Sequence, residues 1–112
     1  QWPCMPSSYD SIFCANVAHI APFAVTKGIL AGAGHVLKPN GVLFMYGPFK
    51  VDGQHTAVSN EAFDLQLREQ NPAWGVRDAT EIGHIAIEHG LKLHERCSMP
   101  SNNFILMFSK IA

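Results

Sequence analysis

Histidine, amide and phenol side chains stand in this chain where an α/β sheet would do chemistry. His19 closes Asn16-Val17-Ala18-His19, directly after the apolar run Ile12-Phe13-Cys14-Ala15. A neutral imidazole, with an ordinary pKa of about 6.5, can take a proton from a group that must lose one. Asn16 can hydrogen-bond a ligand or the backbone at the same point. A second apolar run, Val42-Leu43-Phe44-Met45, leads into Tyr46-Gly47-Pro48, with Lys50 just beyond. Asn60, Asn102 and Asn103 add amides. Each also has a plain structural role. His19 can pack and hold its loop; the Tyr46 ring can be core, with only its hydroxyl functional. Gly47-Pro48 and Asn102-Asn103 are turn formers. Asp64 and Arg68, at i,i+4, read as a surface helix pair. Trp74 and Arg77 can stack or pair to fasten an irregular stretch. His55 lies in a polar loop that reads as solvated, with a lid as its functional alternative.

These residues matter only if the fold brings them to one place. Both apolar runs lack polar alternation, as expected of strands buried on both faces of a parallel sheet. Between them Pro22 suits the first turn of a helix. Val25, Ile29, Ala33 and Val36 recur at helical spacing as its buried stripe. Lys38 closes that helix and Pro39-Asn40-Gly41 stops it. Strand, helix and strand make a right-handed βαβ unit, because parallel neighbours need a crossover. In such sheets ligands sit outside the carboxyl ends of the strands. Asn16, His19, Tyr46 and Pro48 fall there.

Residues 47–58 form a polar loop rich in turn formers. Ser59 or Asn60 caps a helix running to about residue 70, with Phe63 and Leu67 on its inner face. Asp78 and Glu81 make a capping box for a short helix whose inner stripe is Ile82, Ile85 and Ala86, ended by Gly90. Leu91 and Leu93 alternate with Lys92 and His94, so that strand has one wet face. Phe104-Ile105-Leu106-Met107-Phe108 has none and belongs inside the sheet. The short turn Pro100-Ser101-Asn102-Asn103 makes the pair antiparallel. The order is β-α-β-α-α-β-β, without an internal repeat.

With 112 residues, 47% hydrophobic and 15% charged, the chain supports one domain with a core and is no disordered tail. A net charge of −1 gives no pull toward nucleic acid or an anionic membrane. No apolar run has the length of a membrane span and no signal peptide is visible. The chain opens with Gln1, which reads as a cut from something longer. Residues 1–8 read as an irregular lead-in, with Trp2 anchored on the core or on a missing part of the domain. Cys4, Cys14 and Cys97 are odd in number and widely spaced, which suits a reducing, cytoplasmic setting. No CxxC, HxH or HExxH spacing occurs, and His84 with Glu88 lacks a third ligand, so no metal site is expected. No glycine-rich phosphate or dinucleotide loop occurs either. Gly28, Gly32 and Gly34 fall inside the crossover helix, where they let it approach the sheet.

That element order resembles the second half of a Rossmann-like class I methyltransferase, strands four to seven of seven. The wording goes further. The stretch Tyr9-Asp10-Ser11-Ile12-Phe13-Cys14-Ala15-Asn16-Val17-Ala18-His19-Ile20 is similar to the domain-of-unknown-function 938 family. So are Leu37-Lys38-Pro39-Asn40-Gly41, Tyr46-Gly47-Pro48-Phe49-Lys50, Asn71-Pro72-Ala73-Trp74-Gly75-Val76-Arg77-Asp78 and Met99-Pro100-Ser101-Asn102-Asn103. The resemblance runs from Tyr9 nearly to the end.

The resemblance implies an α/β fold: the C-terminal half of a methyltransferase sheet, its last strand antiparallel, with flanking helices, as one partial domain over 1–112. It implies S-adenosyl-L-methionine as cofactor and an unassigned small-molecule or protein methyl acceptor. Cys14, Ala15 and Asn16 would floor the cofactor cleft, with His19 as the candidate catalytic base. Tyr46, Pro48, Lys50, Asn60 and Asn103 would form the substrate wall. The family's glycine-rich loop after strand one and its acidic residue after strand two have no counterpart here, so the chain by itself is expected to be inactive. The competing reading is a non-catalytic interaction or dimerising module derived from that fold. Its first strand would carry an open edge that invites self-association. Half of a nucleotide-binding oxidoreductase is a third reading, disfavoured by the family wording.

Overall fold

A computed structural model describes residues 9–111. The lead-in, with Trp2 and Cys4, lies outside the described residues. The elements are β1 (Tyr9–Ala15), α1 (Phe23–Val36), β2 (Leu37–Gly47), β3 (Phe49–Lys50), α2 (Val58–Gln70), β4 (Arg77–Asp78), α3 (Ala79–Ile87), β5 (Leu91–Met99) and β6 (Asn103–Lys110), with a 3-10 turn at Pro100–Asn102. Four strands form one sheet in the order β1-β2-β6-β5, and β3 pairs with β4 separately. β1 and β2 are parallel, joined by the α1 crossover, whereas β6 runs antiparallel to both its neighbours. The apolar run at Phe104–Phe108 therefore lies inside the sheet, as its lack of alternation requires.

The core sits between one face of this sheet and the helices α1 and α3. Leu43 opposite Phe108 and Met45 opposite Leu106 form the inward rows. They pack with Leu30 and Ala33 of α1 and Ile82 and Ala86 of α3. β1 differs from its sequence reading. It is an edge strand with one face open, and Phe13 is 61% exposed. Phe13, Phe44 and Met107 lie in register on that outer face, where Phe44 and Met107 are half-buried. Absence of polar alternation thus marks strands with two apolar faces, of which this chain covers one.

Helix α1 also departs from expectation. Its buried residues are Thr26, Leu30, Gly32, Ala33 and Val36, so Ala33 and Val36 of the expected stripe face inward, whereas Val25 is exposed and Ile29 half-buried, with Thr26 and Leu30 buried beside them. The helix ends at Val36, and Leu37 is already extended. Lys38 does not close it; its ammonium faces the exposed Asp10 carboxylate at 3.4 Å. Lys110, arriving from β6, donates to the Gly34 carbonyl instead, the place where a cation meets the free carbonyls of a helix end. Gly34 has backbone of the α3–β5 turn at His89 packed where a side chain would be, so its close approach is to that turn and not to the sheet. Lys38 to Gly41 forms a bulge within β2, with Asn40 at φ 67°. A Cβ on Gly41 would sit 2.8 Å from the Lys38 carbonyl oxygen and 3.0 Å from that of Asp10, which excludes any side chain there.

Asp78 caps α3 as expected, accepting from the Thr80 amide at 3.0 Å. Gly90, at φ 75°, follows two residues after the Glu88 cap. Helix α2 is capped instead by Ala57, which puts Ser59 and Asn60 inside its first turn. No helix among the described residues is long and apolar enough to cross a membrane.

The two sheet faces should respond differently to truncation. Phe108→Ala, in the closed core, is expected to cost about 3–5 kcal/mol in a urea melt. Phe13→Ser, on the open face, should stay within about 0.5 kcal/mol of the parent.

Candidate active site at the strand tips

β1 releases its chain at Asn16, whose amide still donates to the Tyr46 carbonyl at 2.8 Å. Asn16 itself takes φ 57°, a left-handed conformation that asparagine tolerates better than most residues. The turn carries Ala18 and His19 inward, and His19 is 5% exposed. Its ring packs edge-on to Phe63, with centroids 5.6 Å apart and planes at 60°. The same ring lies against Gly47, where an added Cβ would stand 3.5 Å from Nδ1 and 3.8 Å from the Asn16 side-chain oxygen.

The segment between α2 and β4 fixes this loop from behind. The Gly75 amide donates to the His19 carbonyl at 3.0 Å. Arg77 donates through Nε to Ala18 (3.2 Å) and through its second terminal nitrogen to Ala21 (2.9 Å) and Ala73 (2.7 Å). Its guanidinium lies over the Phe23 ring at 5.3 Å. The aromatic partner that the sequence reading sought for Arg77 in Trp74 is thus Phe23. Burial first, and then the Arg77 charge, hold the His19 imidazole below the ordinary histidine range. At neutral pH the ring is an uncharged acceptor.

The far wall is built by α2 and the β5–β6 turn, which are stapled together. Asn60 donates to the Asn102 carbonyl at 3.0 Å, and Asn102 donates to the Ser59 hydroxyl at 3.2 Å. Asn103 donates to the Tyr46 hydroxyl at 3.0 Å. Between these walls lies a cavity of about 310 Å³. Asn16 and His19 line it from the β1 tip, Pro48 from the β2 tip, Ser59, Asn60 and Phe63 from α2, and Ser101 and Asn103 from the turn.

Five of the residues singled out in the sequence, Asn16, His19, Pro48, Asn60 and Asn103, therefore meet at one cavity. Tyr46 stands just behind, holding Asn103. Cys14, Ala15 and Lys50 do not reach it. Cys14 packs against the helix-covered core, where burial raises its thiol pKa, and Ala15 lies exposed at the sheet edge. Lys50 is carried away because the chain after Pro48 pairs with β4, setting Lys50 opposite Asp78. Ser59, Phe63 and Ser101 were missed as lining residues. Phe63 was legible, since it lies one helical turn from Asn60 and so shares its face.

Asp64 also differs from its expected role as a surface partner of Arg68. It is 5% exposed and accepts from the Val76 amide at 2.8 Å and from Arg68 at 3.0 Å. His55 leaves the polar loop to place Nε2 3.2 Å from the other carboxylate oxygen, and its Nδ1 is buried without a hydrogen-bond partner. Burial alone would raise the Asp64 pKa, but the Val76 amide, Arg68 and Lys50 outweigh it and hold the carboxyl below its usual range. The carboxylate so ties α2 to the strand that carries Arg77.

A family model described as "Protein of unknown function (DUF938)" matches residues 1–110. The chain belongs to this family. Solved structures similar to the DUF938 chain include methyltransferases. An O-methyltransferase family 2 protein from Planctomyces limnophilus, complexed with apigenin, aligns with a TM-score of 0.82 at 15% identity, over 98% of this chain and 32% of that one. Human N-acetylserotonin methyltransferase, in complex with SAM, gives 0.79 at 14% identity, over 92% and 30%. CalO1, a methyltransferase of calicheamicin biosynthesis in its SAH-bound form, gives 0.77 at 17%, over 96% and 32%. The fold is that of a class I methyltransferase domain, and the chain spans about a third of the length of these structures. The sequence has no glycine-rich strand-to-helix turn; among the described residues no carboxylate lines the cavity, and of Cys14, Ala15 and Asn16 only Asn16 reaches it.

Stability should fall in two separate windows as the pH drops. Because the folded pKa of His19 lies below its unfolded value of about 6.5, the unfolded chain binds more protons between the two values. Its contribution is complete above about 6.5 and declines as pH falls toward the folded pKa. The Asp64 contribution is present above its ordinary value of 3.8 and is lost below it. Urea melts across pH should show both declines, and His19→Gln should flatten the upper one. Asp64→Ala, which orphans the buried Val76 amide, is expected to cost about 1–3 kcal/mol at neutral pH.

Proposed function

We propose that this chain is the acceptor-binding portion of an S-adenosylmethionine-dependent methyltransferase. The observation that carries this reading is the meeting of an uncharged, buried His19 with Asn16, Asn60 and Asn103 at one cavity beside the parallel strand tips. Acceptor positioning is what such a site contributes. An acceptor seated against Phe63 and Pro48 is oriented by the Ser59, Asn60 and Asn103 side chains and shielded on one side from water. Holding reactants in line supplies much of the rate in a displacement of this kind. His19 then accepts the proton that an acceptor hydroxyl must release, at an imidazole already held neutral. Arg77 is a positioning residue, since it holds the backbone on both sides of His19. If bound alongside a glycine-rich half-domain, S-adenosylmethionine would supply the sulfonium methyl group there.

A second reading, an interaction module without catalysis, draws support from the β1 edge, which pairs with no further strand among the described residues, and from the exposed Phe13 beside half-buried Phe44 and Met107. Calorimetry separates the two. S-Adenosylmethionine titrated into this chain alone should give no saturable heat, and adding a glycine-rich methyltransferase half should restore binding. Saturable binding by the chain alone would contradict the division of labour proposed. In the reconstituted enzyme His19→Ala should lower kcat by about 10²–10⁴-fold, and an unchanged rate would remove His19 from the chemistry.

A further inference from the structure

We infer that the strand-tip cavity takes a small, uncharged aromatic molecule bearing a hydroxyl group, and not a charged small molecule or a lysine, arginine or carboxylate side chain of a protein. The inference rests on the acceptor-binding reading above and concerns only what that cavity recognises.

Charge is the first argument. Among the described residues no lysine, arginine, aspartate or glutamate side chain lines the cavity. His19, the one titratable side chain among the described lining residues, is held neutral at physiological pH. Two charged side chains that brace the surrounding elements are engaged elsewhere. Asp64 is matched by Arg68 and His55, and Arg77 by three backbone carbonyls. An ammonium, guanidinium, carboxylate or phosphate entering here leaves water with no opposite charge to meet it, which disfavours binding.

Shape and surface chemistry are the second. A volume of about 310 Å³ lies at the small end of ligand pockets, which run from about 300 to 1,000 Å³. Phe63 keeps 36% of its surface exposed on the cavity side of α2 and already meets the His19 ring edge-on. A flat ring continues that arrangement, since aromatic groups favour offset or edge-to-face contact. The polar lining, the Ser59 hydroxyl with the Asn16, Asn60 and Asn103 amides, suits neutral donors and acceptors. A neutral imidazole has one nitrogen free of hydrogen, and that nitrogen can accept from a hydroxyl.

The test uses this chain as it is, without cofactor, so that methyl transfer and acceptor recognition fail or stand separately. Backbone amide spectra are recorded at neutral pH while naphthol, naphthoate or naphthylmethylammonium is titrated in. Naphthol should shift the amides of Asn16, Asn60 and Phe63 saturably, and the two charged analogues should need at least about tenfold higher concentration, a difference of about 1.4 kcal/mol. Phe63→Ala, checked for a parent-like spectrum, should weaken naphthol several-fold; as Phe63 is partly exposed, Ser59→Ala serves as a second probe of the same wall. A charged analogue binding as well as naphthol, or naphthol shifting only amides away from these elements, overturns the inference. If naphthol binds as expected while the reconstituted enzyme transfers no methyl group, the recognition claim stands and the transferase reading falls.

Discussion

The parallel hydrogen bonding of β1 to β2 is the constraint on which everything at the site depends. Ile12 to Ala15 pair in register with Leu43 to Tyr46, and the Asn16 amide extends the ladder by one bond. Both strands therefore release their chains at the same level. β6, antiparallel on the other side of β2, contributes its start to that level, since Phe104 stands opposite Gly47. One edge of the sheet thus receives the end of β1, the end of β2 and the beginning of β6. Asn16, Pro48 and Asn103 are far apart in sequence and neighbours in space for this reason alone.

A second layer of interactions turns this edge into a shaped wall. Asp64 reaches across from α2 to the Val76 amide, and Arg77, next in the chain, reaches back to the carbonyls flanking His19. A buried carboxylate and a half-buried guanidinium thereby link helix, strand and loop. The charges do so through backbone groups, so the cavity keeps a lining without charge. Paired and backbone-bonded charges of this kind are the form in which ionised side chains persist away from water.

Much of the scaffold was legible because its signals are local. The apolar runs, the Asp78 cap, the turn at Pro100 and the crossover length each follow from neighbouring residues. Parallel pairing followed from the lack of polar alternation and the helix between the strands. What local signals do not carry is which face of a strand the chain itself covers. Phe13 is as apolar as a core residue and yet stands in the open. In the first turns of α1 Thr26 is buried where hydrophobicity alone favours Val25. At the site, Asn16 and His19 were legible from the strand-end rule. The Asp64–Arg68 pair was legible from its spacing, but the links from Asp64 to the Val76 amide and from Arg77 to the carbonyls beside His19 were not, since no side-chain pattern encodes backbone partners. Lys50 misled because its nearness in sequence to Tyr46 is undone by the β3–β4 pairing.

The strand order has a consequence for how the molecule comes into being. β6 is the last strand in the chain, yet it occupies an interior place between β2 and β5. Until residues 103–110 emerge from the ribosome, β2 has a neighbour on one side only and β5 has none. Leu43 and Met45 meanwhile lack their opposite numbers Phe108 and Leu106. Nascent chains of this kind wait with apolar surface uncovered, the condition under which misassembly competes with folding. The β5–β6 hairpin acts as a keystone, and completing the arch falls to residues 103–110.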